Sequence, residues 1–243
     1  YVQQPYGVTI RLEDIQQKMA GARDRRMANI AYVAAYAAIP AIAAGVPDSY
    51  LENAAGQRID FYNGSTGPEG TLGGVWLNLT AFGDGTPWRA HYMNELTEML
   101  DADDLVNFDG VEIDTYGWQQ PYYDAIGAHD GTPMMTMLAD LTGDVRALAK
   151  GIDPDSLTTM NNVAETGVEQ LYDREDFLFI ENWAFHKPRY DDTLAMLRTH
   201  GSASTKRLVT KCYPADMSPA QNTWPAANLR LLMGSHLAAG GNC

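Results

Sequence analysis

The sequence predicts an α/β protein built on a parallel sheet, a (β/α)8 TIM-type barrel that lacks its first strand and its last helix in this chain. Apolar, β-type runs alternate with helical stretches at a spacing typical of parallel βαβ units. About six strand–helix units can be recognised, against the eight of a closed barrel. The chain also opens on a helical pattern and ends directly after a strand-like run.

The first half of the chain predicts two helices and three strands. Residues 12–27 form an amphipathic helix, because Ile15, Met19, Ala22 and Met27 recur at helical spacing. Residues 29–38 (NIAYVAAYAA) and 74–80 (GVWLNLT) have the composition of buried strands. A helix begins at Pro87, since proline suits the first helical turn. A third strand is predicted in residues 108–117.

The second half continues the alternation. The predicted elements are a helix over residues 133–150, a strand at 157–163, a short helical stretch, a strand at 176–183, a helix near 192–200, a strand at 207–213 and a helical segment that ends in MGSHLAAGG. No linker interrupts them, so residues 1–243 are expected to form one catalytic barrel domain, incomplete at its N-terminus. The least polar stretch, residues 30–46, contains tyrosines and a proline, and no membrane span is expected.

The charge of the chain argues against one class of partner. The formal net charge is −14 at pH 7, from 31 acidic against 17 basic residues. Binding to nucleic acid needs clustered lysine and arginine, so a nucleic-acid partner is not expected. An acidic surface is typical of a soluble protein, and adaptation to high salt is a second interpretation.

Two acidic residues stand at the ends of apolar strands. Asp114 lies near the end of FDGVEIDTYG (108–117), and Glu181 near the end of DFLFIENW (176–183). Side chains alternate along a strand, so Asp114 shares a face with Glu112, and Glu181 shares one with Phe177 and Phe179. A carboxylate is costly to bury without a partner, and catalytic residues of (β/α)8 barrels lie at the carboxyl ends of strands. The two strand ends therefore predict a shared polar cleft.

Paired carboxylates of this kind suit the hydrolysis of a glycosidic bond, which needs a nucleophile or base and a proton donor. Glu181 fits the donor, because Phe177, Phe179 and Trp183 on its face would disfavour its charged form. Asp114 fits the nucleophile, since Thr115, Tyr116 and Asn161 offer hydrogen bonds to a carboxylate. Acidic residues at strand ends also occur as helix caps or magnesium ligands, and that interpretation stays open here.

The motifs resemble those of glycoside hydrolase family 66, the dextranases and cycloisomaltooligosaccharide glucanotransferases. The likeness is carried, in this order, by FDGVEIDTYG, NNVAETG, DFLFIENW and HLAAGGN, and extends from about Asn29 to Asn242. It implies a retaining endo-glycosidase that cleaves α-1,6 bonds of dextran-like glucan, with Asp114 as nucleophile and Glu181 as acid/base. It also implies an extracellular or cell-surface location.

Other residues complete the predicted site. The candidate substrate-binding residues are Tyr32, Tyr36, Tyr116, Trp118, Asn161, Trp183 and His186. No cofactor and no metal is expected, because nucleotide, zinc and calcium motifs are absent from the sequence. Glu165, in the stretch that follows NNV, is expected to be a surface residue.

Three alternatives remain open at this point. A cyclising glucanotransferase is disfavoured, because the resemblance implies a carbohydrate-binding module late in the barrel and little sequence separates Tyr213 from the next strand-like run. A non-catalytic glycan-binding or assembly barrel would use the exposed strand edges left by a missing strand. A magnesium-dependent lyase or phosphatase would use Asp109, Glu112 and Asp114.

Overall fold

The protein is described here from a computed structural model. The structure describes residues 2–3, 9–35, 37–38, 40–52, 55–59, 71–72, 75–76, 78–101, 108–116, 134–163, 165, 167–183, 190–204, 206–213 and 241–242.

The described elements begin with short strands and end with a parallel sheet. The strands are β1 (Val2–Gln3), β2 (Thr9–Ile10), β3 (Ile30–Val33), β4 (Ala37–Ala38), β5 (Thr71–Leu72), β6 (Val75–Trp76), β7 (Asn78–Leu79), β8 (Gly110–Tyr116), β9 (Leu157–Val163), β10 (Leu178–Trp183), β11 (Leu208–Tyr213) and β12 (Gly241–Asn242). The helices are α1 (Leu12–Arg23), α2 (Pro40–Ala43), α3 (Pro87–Asp101), α4 (Met134–Ile152) and α5 (Tyr190–Ala203), with a 3-10 helix at Val168–Leu171.

Six strands form the main sheet, in the order β12-β11-β10-β9-β8-β3. All of its pairings are parallel, and neighbouring strands follow one another along the chain. The predicted α/β fold with a parallel sheet is therefore confirmed. Among the described residues, no pairing joins β3 to β12 to close the sheet into a barrel.

Helices cover one face of this sheet. Val111 and Ile113 of β8 and Met160 of β9 are fully buried in a cluster with apolar side chains of α3 and α4. Leu178 and Ile180 of β10 are buried in a second cluster with side chains of α5 and β11. Because side chains alternate along a strand, Glu112, Asp114, Phe179 and Glu181 take the opposite face, as the sequence predicts.

Two predicted strands divide into shorter ones. In residues 29–38, β3 ends at Val33, and the Ala35 carbonyl accepts hydrogen bonds from the Thr80 hydroxyl and the Trp88 indole, at 2.6 and 2.9 Å. The next strand, β4, pairs antiparallel with β7 instead of joining the parallel sheet. Residues 74–80 likewise contribute to two small antiparallel sheets. The hydrogen bonds to Ala35 and the pairing of β4 with β7 join segments about 40–50 residues apart in the chain, so local composition did not reveal them.

Most other elements agree with the sequence. The helix from Pro87 and the strand at 157–163 are confirmed, and the first helix ends at Arg23, before a turn in which Arg26 has a φ of 58°. The connection from β9 to β10 contains a 3-10 helix in place of an α-helix. The predicted helical segment before residue 240 lies outside the described residues.

The lower part of β9 is paired by side chains instead of by β10. Its pairing with β10 begins only at Asn161, opposite Phe179. Before that point, the Asp176 carboxylate accepts a hydrogen bond from the Thr158 amide, and the Glu175 carboxylate accepts one from the Met160 amide, each at 2.9 Å. The backbone groups of this edge are thereby satisfied, as buried amides require.

Glu175 and Asp176, which accept these hydrogen bonds from β9, lie in different charge environments. Asp176 forms ion pairs with Arg146 and Lys150, at 2.9 and 3.4 Å. Glu175 is fully buried, and its Oε1 has no hydrogen-bond partner among the described residues. Burial raises the pKa of the Glu175 carboxyl well above its usual value, although bonds from Met160 and Thr159 and the charge of Lys206 act in the other direction.

Gly110→Ala should destabilise the protein, because β8 and β9 lie too close at this point for a side chain. A Cβ atom on Gly110 would lie 2.0 Å from the Leu157 carbonyl oxygen, which is backbone and cannot rotate away. We expect the free energy of unfolding to fall by about 3 kcal/mol or more. Gly151→Ala is the matched control: nothing lies within 4 Å of its Cβ, and it should be neutral or raise stability by about 0.5–1 kcal/mol. Chemical denaturation measures both, and equal effects would contradict the prediction.

Glu175→Gln should change how stability depends on pH. As pH rises past the usual pKa of glutamate, about 4.3, the unfolded chain loses this proton while the folded chain keeps it. The free energy of unfolding of the wild type therefore falls, by up to about 1.4 kcal/mol per pH unit, until the raised folded pKa is reached. Glutamine has no such proton, so the stability of the variant relative to wild type should increase with pH. A difference that stays constant in a urea-denaturation series across pH would contradict a raised pKa.

Candidate active site

Three polar side chains meet at the carboxyl ends of neighbouring strands. Asp114 lies near the end of β8, Asn161 near the end of β9 and Glu181 near the end of β10. The strands are parallel and adjacent in the order β8-β9-β10, so their carboxyl ends share one edge of the sheet. This arrangement brings Asp114 into contact with Asn161, 47 positions later in the chain, and Asn161 into contact with Glu181, 20 positions later.

The side-chain amide of Asn161 bridges the two carboxylates. Its Nδ2 donates to Asp114 Oδ1 at 3.2 Å and to Glu181 Oε2 at 2.7 Å. Carboxylate oxygens accept hydrogen bonds, so the NH2 group and not the carbonyl oxygen must face them. Because both oxygens bond to one nitrogen, their separation cannot exceed the sum of the two distances, 5.9 Å.

The three side chains are withdrawn from solvent. Asp114 and Asn161 each expose 2% of their surface, and Glu181 exposes 7%. A neutral polar group buried without a hydrogen bond costs roughly 2–7 kcal/mol on transfer scales, and an ionised carboxylate costs more. The Asn161 amide supplies one donor to each, and this explains how the sheet tolerates two carboxylates so close together.

A β-bulge sets the direction of Asp114. β8 and β9 pair regularly up to Ile113 opposite Met160, and the next pairing joins Tyr116 to Asn162. Asp114 and Thr115 thus stand opposite the single residue Asn161. A bulge of this kind locally increases strand twist and re-aims side chains, and bulges are frequent beside active sites.

The other candidate binding residues are only partly described. Tyr32 of β3 is 45% exposed and stands in register with Glu112, on the face that also carries Asp114. Tyr116 and Trp183 are the last residues of β8 and β10, and their side chains are not described. The remaining candidates, Tyr36, Trp118 and His186, lie outside the described residues.

The acidic residues proposed for a magnesium site do not meet. Asp109 precedes β8 and accepts a hydrogen bond from the Asn29 amide at 2.6 Å. It lies at the amino end of the strand, about 16 Å from Asp114 by the rise of a β-strand. Within the part of the chain that the structure describes, no group of histidine, cysteine, aspartate or glutamate could hold a metal ion. The described helices also include none long and apolar enough to span a membrane.

Comparison with known families agrees with this arrangement. The profile of glycosyl hydrolase family 66 matches residues 3–242. The chain belongs to glycosyl hydrolase family 66. This match confirms the family that the four motifs predict.

A solved structure shares the fold. It is that of TtGalA, an alpha-galactosidase from Thermus thermophilus in complex with stachyose, with a TM-score of 0.50 and 11% sequence identity. The match covers 95% of this chain and 47% of the alpha-galactosidase chain, so this chain spans about half of that protein's length. No curated protein matches the sequence.

A second polar cluster lies outside the carboxylate pair in this family 66 chain. His200 of α5 is buried, and its Nε2 lies 3.0 Å from Glu165 Oε1, while its Nδ1 lies 2.7 Å from the Tyr172 hydroxyl. Burial, followed by the charges of Glu169 and Glu165, raises the pKa of Tyr172. The expectation that Glu165 is a surface residue holds only in part, because its side chain is 23% exposed and its carboxylate binds this histidine. No local sequence signal links residues 35 and 28 positions apart.

The cluster joins α5 to the segment that leaves β9. Glu165 follows the strand that carries Asn161, and it has the left-handed backbone conformation, with a φ of 67°. Such a conformation is unusual for a residue other than glycine and persists where the surroundings hold it. The hydrogen bond to His200 is one interaction that holds it.

His200→Leu should therefore destabilise the fold. The substitution leaves the Glu165 carboxylate without its imidazole and the Tyr172 hydroxyl without its ring nitrogen, so we expect the free energy of unfolding to fall by about 2–4 kcal/mol. His91→Leu is the control, since His91 of α3 is partly exposed and its ring nitrogen lies 3.7 Å from the exposed Glu95 carboxylate. Its effect should stay within about 0.5 kcal/mol. Thermal and chemical unfolding measure both, and similar small losses would contradict a structural role for the cluster.

Proposed function

We propose that this chain carries the catalytic centre of a retaining glycosidase that cleaves α-1,6 bonds inside dextran-like glucan. The single observation that carries the proposal is the pair of buried carboxylates bridged by Asn161, with the bonded oxygens no more than 5.9 Å apart. Retaining enzymes hold their two carboxyl groups about 5–5.5 Å apart, whereas inverting enzymes leave about 6.5–9.5 Å for a water molecule. The bridged pair favours retention.

In the proposed first step, Asp114 attacks the anomeric carbon of the glucosyl unit. The bond from that carbon to the O6 of the next unit breaks, and Glu181 donates a proton to this oxygen as it leaves. The product is a covalent glucosyl ester of Asp114. Asn161 supports the step because its amide donor orients the attacking carboxylate, and orientation of this kind lowers a barrier by avoiding an entropic cost.

In the second step, Glu181 removes a proton from water. The oxygen of that water bonds to the anomeric carbon, and the ester bond to Asp114 breaks. The enzyme returns to its starting protonation state, and the configuration of the sugar is retained. The water needs access only after the leaving sugar has departed.

The substrate class rests on the family. Dextranases act on α-1,6-glucan, and the resemblance of FDGVEIDTYG and DFLFIENW to that family supports the same substrate here. Most of the candidate binding residues that the sequence offers are aromatic, and Tyr32 among them lies exposed on the face of the sheet that carries Asp114, which suits stacking against sugar rings. We propose an extracellular or cell-surface location, which is the location that the family resemblance implies.

We further propose that the parallel sheet belongs to a (β/α)8 barrel. Its six strands follow one another in chain order, helices cover one face, and the carboxylate pair lies at the carboxyl ends of the strands. Active sites of (β/α)8 barrels lie at this end.

Asp114→Ala should abolish the hydrolysis of dextran. Loss of a covalent nucleophile removes the reaction path itself, and we expect kcat to fall by at least about 10⁴-fold. Glu181→Ala should also lose dextran hydrolysis, but it should keep some activity on a 4-nitrophenyl α-isomaltooligoside, because the leaving group of that substrate needs no proton and only the second step then lacks its base. Asp140→Ala removes a half-exposed carboxylate that pairs with Arg174, and it should leave turnover unchanged.

The products of the wild type test the finer parts of the proposal. Proton NMR of the first product should show the α-anomer, and an initial β-anomer would contradict retention. Linear isomaltooligosaccharides are expected, and cyclic products would favour the glucanotransferase. Binding of dextran without hydrolysis in the wild type would favour the non-catalytic glycan-binding barrel.

A further inference from the structure

Asn161 has a second polar group that the bridge does not use. Its NH2 group donates to Asp114 and Glu181, and its carbonyl oxygen takes part in neither hydrogen bond. This Oδ1 is buried and has no hydrogen-bond partner among the described residues. An acceptor left without a donor in a buried position costs about 1–3 kcal/mol. Such a group indicates a place where a ligand supplies the donor.

The position of Asn161 limits what that donor is. Under the proposed function, the anomeric carbon lies between Asp114, which attacks it, and Glu181, which protonates the oxygen attached to it. Asn161 contacts both carboxylates and therefore lies beside this carbon. The neighbours of an anomeric carbon in the ring are the ring oxygen, which has no proton to donate, and the carbon that bears the 2-hydroxyl. The 2-hydroxyl is thus the nearest sugar group that can donate to Oδ1.

We infer that the side-chain carbonyl of Asn161 accepts a hydrogen bond from the 2-hydroxyl of the glucosyl unit that is cleaved. This inference rests on the proposed function and names the part of the substrate that the site recognises. One side chain would then hold both carboxylates through its nitrogen and the sugar through its oxygen. Removal of the 2-hydroxyl, or a change in its configuration, would then remove a hydrogen bond beside the bond that breaks and lower the rate of cleavage.

Charge development at the reaction centre favours such a contact. The anomeric carbon gains positive character in an oxocarbenium-like transition state, and this makes the adjacent 2-hydroxyl a better donor. A hydrogen bond to a neutral carbonyl is then stronger in the transition state than in the ground state. Interactions of this kind increase kcat more than they lower KM.

The test is a two-by-two comparison of enzyme and substrate. The substrates are 4-nitrophenyl α-isomaltotrioside and its analogue that lacks the 2-hydroxyl on the ring bound to nitrophenol. The enzymes are the wild type and Asn161→Ala. For each enzyme we measure the ratio of kcat/KM on the parent trioside to kcat/KM on the deoxy analogue. The intrinsic reactivity of the deoxy sugar affects both enzymes equally, so it cancels when the two ratios are compared.

The ratio should fall in Asn161→Ala by roughly tenfold or more relative to wild type, because the variant has no acceptor for the 2-hydroxyl to satisfy. The change should appear in kcat. Asn161→Asp keeps an acceptor oxygen while it loses the amide donors, so it should lower kcat and shift the pH profile but keep the wild-type ratio. Asn162→Ala is the matched control, since Asn162 is the next buried asparagine of β9 and faces the other side of the strand. It should also keep the ratio.

The outcomes separate the two proposals. If both substrates are hydrolysed and the ratio is the same in the wild type and Asn161→Ala, the inference is wrong and the proposed function stands. If the wild type hydrolyses neither substrate nor dextran, the proposed function is wrong, and the inference fails with it. Circular dichroism checks that each variant folds. If Asn161→Ala does not fold, Asn161→Val, which also lacks the acceptor and suits a strand, gives the same comparison.

Discussion

The hydrogen bonds from one amide nitrogen to two carboxylates are the interaction on which the candidate site depends. Asp114 and Glu181 are buried acids on strands that are not adjacent, and a buried carboxyl group is costly unless hydrogen bonds satisfy it. Asn161, on the strand between them, supplies a donor to both. The site therefore needs three strands held in one register, because a shift of a single residue would turn Asn161 to the other face.

That register has its own structural support. Gly110 lets β8 approach the Leu157 backbone more closely than any side chain would permit, and regular pairing continues from this point up to the bulge at Asp114. On the other side of β9, the Glu175 and Asp176 side chains bond to backbone amides where β10 has not yet begun. β9 is thus anchored on both edges before it reaches Asn161. These contacts, made by residues that precede Asn161 in β9, therefore fix the position of the Asn161 side-chain amide.

The segment that leaves β9 is anchored as well. In most parallel sheets an α-helix follows each strand, but here a 3-10 helix takes that place, and His200 of α5 binds both Glu165 and Tyr172. The polar cluster adds to the apolar packing of Val168 and Leu171, the two buried residues of this 3-10 helix. Hydrogen bonds are directional, so those of His200 to Glu165 and Tyr172 fix the position at which the chain turns after β9.

Local patterns in the sequence determined much of this protein. Alternation in FDGVEIDTYG and DFLFIENW assigned Val111, Ile113, Leu178 and Ile180 to the covered face, because side chains of a strand alternate and apolar ones pack against helices. The same alternation and four motifs singled out Asp114 and Glu181 and predicted the family. Only the tertiary structure decided the contacts among residues distant in the chain. The Asn161 bridge, the division of residues 29–38 into two strands, and the hydrogen bonds of Glu175 and Glu165 all depend on which strands and helices become neighbours. Local composition records whether a residue suits a strand, but it does not record which distant group will satisfy its buried polar atoms.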